Sequence, residues 1–93
     1  MPQVRKRYVS LIIAGRVQGV GFRYAARTAA SQLGITGFAQ NQFNGSVYIE
    51  ACGKPEKLDE FVLWCRRGPA MARVTQVIIN QLPPFEATQF SIR

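Results

Sequence analysis

Apolar residues fill almost every position from Tyr8 to Ala14 (YVSLIIA). A run of this kind predicts a strand buried in the middle of a sheet, and Gly15 is placed to end it. From Phe22 the apolar residues change period. Phe22, Ala25, Ala26, Ala29, Ala30 and Leu33 recur at helical spacing, with Gly34 as a C-terminal stop. Thr36 to Asn41 and Ser46 to Cys52 then read as two strands of a hairpin, because Asn44-Gly45 lies between them and Val47, Ile49 and Ala51 alternate onto one face. Pro55 suits the first turn of a second helix, where Glu56, Asp59 and Glu60 also favour the positive end of the helix dipole. Leu58, Phe61, Val62 and Cys65 supply its apolar stripe, and Gly68-Pro69 stops it. Val74 to Asn80 and a short Thr88 to Ile92 close the chain as strands, joined through Pro83-Pro84. The order βαββαβ, with a hairpin at its centre, predicts an α+β fold. It is a ferredoxin-like split βαβ sandwich in which two helices cover one face of an antiparallel sheet and the other face stays partly wet.

The 93 residues suffice for one core, and no repeat, linker or low-complexity tract divides them, so residues 1–93 are expected to form a single domain. A hydrophobic content of 47% excludes a disordered chain. No apolar run approaches the ~20 residues needed to cross a bilayer. The basic stretch Met1 to Arg7 lacks the small-residue cleavage site of a signal peptide, so a cytoplasmic protein is expected, without a membrane partner. Twelve Lys and Arg against five Asp and Glu give a net charge of +7, which favours anionic partners without choosing among them. Cys52 and Cys65 form no CxxC pair, and the chain has no histidine to complete a zinc site. They read as two buried thiols in preference to a disulfide.

The segment that carries chemistry is Gly15-Arg16-Val17-Gln18-Gly19-Val20-Gly21-Phe22-Arg23, which joins the first strand to the first helix. Glycines let a backbone fold back with positive φ and remove the Cβ atoms that keep an anion away from amide N–H groups. The helix that follows adds the unpaired N–H groups of its first turn. Arg23 enters at that end with a planar, permanently charged fork that can bind two phosphate oxygens. No Gly-Lys-Ser/Thr follows, so the loop is not a Walker A motif and a nucleotide triphosphatase is not indicated. By residue type alone the glycines could be structural, Arg23 a solvated helix residue and Asn41 a polar strand end.

The full string GRVQGVGFR closely resembles the signature of the acylphosphatase family. So do Gly37-Phe38-Ala39-Gln40-Asn41, with Asn44-Gly45-Ser46-Val47 after it, and Gly68-Pro69-Ala70-Met71-Ala72-Arg73-Val74. The resemblance covers nearly the whole chain. It implies a small stand-alone hydrolase of acyl phosphates that works as a monomer without metal or cofactor. Arg23 would bind the phosphate, Asn41 would position the attacking water, and the backbone from Gly15 to Phe22 would form the cradle. Acyl phosphate and inorganic phosphate are then the small-molecule partners. Two positions depart from the family: Phe38 stands where tryptophan is common, and Gln40 where a basic residue is common. Both leave Arg23 and Asn41 in place and bear on rate and substrate preference.

That chemistry suits the residues present. An acyl phosphate has a good carboxylate leaving group, so positioning and charge stabilisation supply most of what is needed. The five acids, Glu50, Glu56, Asp59, Glu60 and Glu86, form no evident pair for general acid–base work. RNA binding is the main alternative of another class, since the same architecture and a pI of about 10.3 occur in RNA-binding modules. It wants stacking aromatics on the central strands, and Asn44 to Glu50 offers one aromatic and an acid. No nucleic-acid partner is therefore expected. A further alternative, a relative of the acylphosphatase-like domain of carbamoyl-transferring maturation proteins, would prefer carbamoyl phosphate.

Overall fold

The structure is a computed structural model that describes residues 5–93, so Met1 to Val4 of the basic N-terminal stretch lie outside the described residues. Seven elements follow in order: β1 (Arg7–Arg16), α1 (Phe22–Gln32), β2 (Thr36–Asn41), β3 (Val47–Gly53), α2 (Pro55–Arg67), β4 (Arg73–Gln81) and β5 (Phe90–Ile92). They form one sheet with strand order β4-β1-β3-β2-β5. Each βαβ unit is split by a strand inserted between its two strands, which is the expected ferredoxin-like arrangement. The pairs β1–β3, β1–β4 and β2–β3 are antiparallel.

One strand departs from the antiparallel expectation. β5 lies parallel to β2, pairing Gly37 with Phe90 and Ala39 with Ile92, so the sheet is mixed. The reason is the path of the chain. β4 ends beside the start of β1, at Gln81 opposite Val9, and β5 sits on the far edge of the sheet. The connection crosses at that end, and the chain can only return alongside β2 in the direction β2 itself runs.

A second departure concerns Gly15, which bends β1 instead of ending it. The pairing with β4 shifts register between Ala14 and Gly15 and then continues through Gly15↔Val74 and Arg16↔Arg73. Gly15 has φ +121°, and a Cβ there would overlap the Arg73 carbonyl oxygen. Such a bulge sharpens the local twist and aims the chain that leaves the strand.

Leu11, Ile13, Ala39, Val47, Ile49 and Ala51 form the inner face of the sheet. Against them lie Phe22, Ala26 and Ala30 of α1 and Leu58, Phe61 and Cys65 of α2. Phe90 of β5 meets Phe61 edge-on at 5.8 Å, so the last strand joins the same core.

Cys52 follows Ala51 and therefore points to the opposite face of the sheet from Cys65; both are buried and free. Burial pushes the Cys65 thiol well above its usual range, which suppresses the reactive thiolate. Neither thiol is expected to react with Ellman's reagent in native buffer on the timescale in which both react after denaturation. Prompt native reaction at Cys65 would contradict this packing.

Candidate active site

Val17, 1% exposed, anchors the chain as it leaves β1, and Phe22, equally buried, anchors the start of α1. Between them the backbone makes a tight excursion. Gly19 and Gly21 take φ +73° and +77°, while no non-glycine among the described residues has positive φ. Left-handed residues alternating with ordinary ones form the backbone pattern of an anion nest. A Cβ on either glycine would meet nothing within 4 Å, so glycine is needed there for its φ and not for room. Gly21 is also the N-cap of α1, which has no side-chain cap and no acid in its first turn. The first N–H groups of that helix therefore have no intrahelical acceptor and face outward at the positive end of the dipole.

The loop is braced from the hairpin. Gln18 Nε2 donates to the carbonyl oxygens of Gln42 and Ser46, at 2.7 and 2.9 Å. The hairpin tip holds its own shape: Ser46 N and Oγ both donate to Asn44 Oδ1, at 3.0 and 2.6 Å, and Gln42 N donates to Ser46 O at 2.9 Å. This network sets Asn41, the exposed last residue of β2, beside the loop. Gln18 thus shapes the site through its side chain.

Arg23 is placed from a third direction. Its Nη1 donates to the main-chain oxygen of Arg93 at 2.7 Å, and Arg93 N donates to Ala39 O at 2.8 Å. The Arg93 guanidinium lies 3.8 Å over the Phe38 ring, which in turn packs 6.0 Å from Tyr48. Phe38 therefore bears on the cleft through Arg93 and has no contact of its own with it.

The resulting cleft, about 210 Å³, is lined by Val17, Gly19, Gly21, Phe22, Arg23, Tyr24 and Asn41. Not every residue of the Gly15 to Phe22 segment reaches it. Gly15 and Arg16 remain paired within β1, Gln18 turns to the hairpin and Val20 packs against the core. Two contributors had no signal in the sequence: the Arg93 main-chain oxygen, remote along the chain, and Tyr24, whose aromatic character merely fits an exposed helix position. The hairpin brace was foreshadowed by Asn44-Gly45, though not its bonds to Gln18.

Among the described residues no Asp or Glu side chain lines the cleft. Glu50 sits on the open face of the sheet, where it accepts a 2.7 Å hydrogen bond from the Tyr48 hydroxyl. Burial, and then the Glu50 carboxylate, raise the Tyr48 phenol above its ordinary pKa. Among the described residues no three His, Cys, Asp or Glu gather as metal ligands. The arrangement can accept a small anion on backbone N–H groups and one guanidinium, with a neutral amide at its rim.

An α+β sandwich with this turn between strand and helix defines a class that comparison makes specific. A family model described as acylphosphatase matches residues 9–92. The chain is 47% identical over 74 residues to an acylphosphatase of Vibrio cholerae, covering 80% of this chain and 81% of that one. It is 43% identical over 89 residues to an acylphosphatase of Yersinia pseudotuberculosis, covering 95% and 97%. A solved acylphosphatase structure from Coxiella burnetii superposes with a TM-score of 0.91 at 30% identity, over 95% of this chain and 93% of that one. The chain belongs to the acylphosphatase family.

Proposed function

We propose that the cleft between Arg23 and Asn41 carries out direct hydrolysis of acyl phosphates without a metal ion. As a member of its family the chain is a hydrolase that cleaves the carboxyl–phosphate bond, releasing a carboxylate and inorganic phosphate. The phosphoryl oxygens rest on the N–H groups around Gln18 to Phe22 and on the Arg23 guanidinium, which offset the charge that develops on them. A water held by the Asn41 side-chain amide attacks phosphorus in line. As the new P–O bond forms, the bond to the acyl oxygen breaks, and its electron pair leaves with the carboxylate. One water proton passes to a phosphoryl oxygen, which accounts for a cleft without a carboxylate or histidine base.

The observation that carries this reading is the convergence of Arg23, from a helix start, and Asn41, from a strand end, on one cleft with the left-handed Gly19 and Gly21. Residues 1–93 are read as one domain working as a monomer in the cytoplasm, with both helices and all five strands sharing a single core. No helix of the described residues is long and apolar enough to cross a membrane. No nucleic-acid partner is proposed, because one face of the Phe38 ring is covered by Arg93 and its neighbour Tyr48 is bonded to the acidic Glu50.

Hydrolysis of benzoyl phosphate, followed by ultraviolet absorbance with a chelator present, tests the proposal. The wild type should turn over rapidly. Asn41→Ala should lose about 10²-fold or more in kcat, the scale of removing one oriented polar group from a reacting centre, with a smaller change in KM. Full activity in Asn41→Ala would remove the water-positioning role, and dependence on a divalent ion would overturn the metal-free mechanism.

A further inference from the structure

We infer that Tyr24 is the acyl-group contact of this enzyme, a specificity residue that favours flat apolar acyl groups. The inference rests on the proposed reaction. In-line attack requires the water and the leaving oxygen on opposite sides of phosphorus. With the water on Asn41, the acyl group must leave over the part of the cleft that Asn41 does not form. Val17, Gly19, Gly21, Phe22, Arg23 and Tyr24 make up that part. The glycines have no side chain, Val17 and Phe22 are 1% exposed and turned into the core, and in the proposed reaction the Arg23 guanidinium binds the phosphoryl group. Tyr24 is the remaining side chain, and it is 58% exposed.

The ring is also held for such a role. Tyr24 lies in the first turn of α1, and the Arg27 guanidinium, one turn on, lies 5.4 Å over one face of the ring. That contact restricts the side chain from one face, while the residue as a whole stays 58% exposed. An aromatic acyl group can stack on the exposed ring, whereas an acetyl group is too small to gain much from it.

A second concavity, about 420 Å³, lies on the other side of Asn41 and is lined by Gln18, Gln40, Gln42 and the fully exposed Phe43. It adjoins the side from which the water comes. If the acyl group lay there, it would stand beside the nucleophile and not opposite to it.

The test compares kcat/KM for benzoyl and acetyl phosphate in the wild type, Tyr24→Ala, Tyr24→Phe and Phe43→Ala. The benzoyl-to-acetyl ratio should fall roughly 2- to 12-fold in Tyr24→Ala, the range of a single aromatic contact. It should be kept in Tyr24→Phe, which preserves the ring, and in Phe43→Ala. An unchanged ratio in Tyr24→Ala, or a fall confined to Phe43→Ala, would overturn the assignment. Failure of the underlying reaction looks different: the wild type would hydrolyse neither substrate, or Asn41→Ala would retain full activity on both.

Discussion

Replacing Arg23 with alanine is expected to lower kcat/KM for benzoyl phosphate by about 10³-fold or more, within the range seen when an arginine that stabilises phosphoryl-transfer charge is removed. Lysine should recover only part of the loss, because a point charge cannot reproduce two parallel N–H contacts to phosphate oxygens. The loss should not arise from unfolding. Among the described residues Arg23 makes one side-chain hydrogen bond, at an exposed position, to the Arg93 main-chain oxygen. Losing such a bond costs about 1 kcal/mol, a small part of the ~5–15 kcal/mol that holds a domain together. Steady-state kinetics paired with a thermal melt separates the two effects. Activity within tenfold of the wild type in a folded Arg23→Ala variant would take Arg23 out of the phosphoryl cradle.

The hydrogen bond from Arg23 to Arg93 also marks the limit of what was legible in the chain. Elements set by local chemistry were readable nearly to the residue. β2 spans Thr36–Asn41 as expected, Pro55 opens α2, and Gly68 closes it with φ +71°. In each case the signal and the structure it causes lie within a few residues. Features that depend on distant partners were not readable. Gly15 looked like a strand end because a glycine after an apolar run usually is one, and only Arg73 packed across from it makes it a bulge. β5 takes its parallel direction from the edge on which β4 lies, which no local pattern encodes. The site divides in the same way. Gly19, Gly21 and Arg23 fall in one short motif, and Asn41, expected from the family resemblance, lines the same cleft. The Gln18 brace and the Arg93 support arise only when the ends of β2 and β5 are brought to the loop.

Gly15 at the end of β1 and Gly21 at the start of α1 should respond differently to the same substitution, and Gly15→Ala should have the larger effect on stability. An alanine Cβ at Gly15 would overlap the Arg73 carbonyl oxygen and crowd the Thr75 amide, both of them backbone atoms of a paired strand that cannot rotate away. The residue would also have to keep φ +121°, a region that L side chains rarely adopt. Strain of this kind costs about 1–3 kcal/mol, and forcing β1 away from β4 adds to it, so a loss of at least about 3 kcal/mol is expected. For a domain of this size that lowers Tm by roughly 12–24 °C, readable by circular dichroism. Gly21→Ala meets no atom and faces only the left-handed conformation, at about 1–2 kcal/mol, so its Tm should fall much less. Its activity should fall more, because in the proposed cradle relief of that strain would turn the N–H groups at the start of α1 away from the phosphoryl oxygens. Stability and catalysis thus separate along the loop: Gly15 sets where the chain leaves the sheet, and Gly19 and Gly21 set what its backbone presents. A Gly15→Ala variant that melts within about 2 °C of the wild type would show that the bulge yields to a side chain, contrary to a rigid exit from β1.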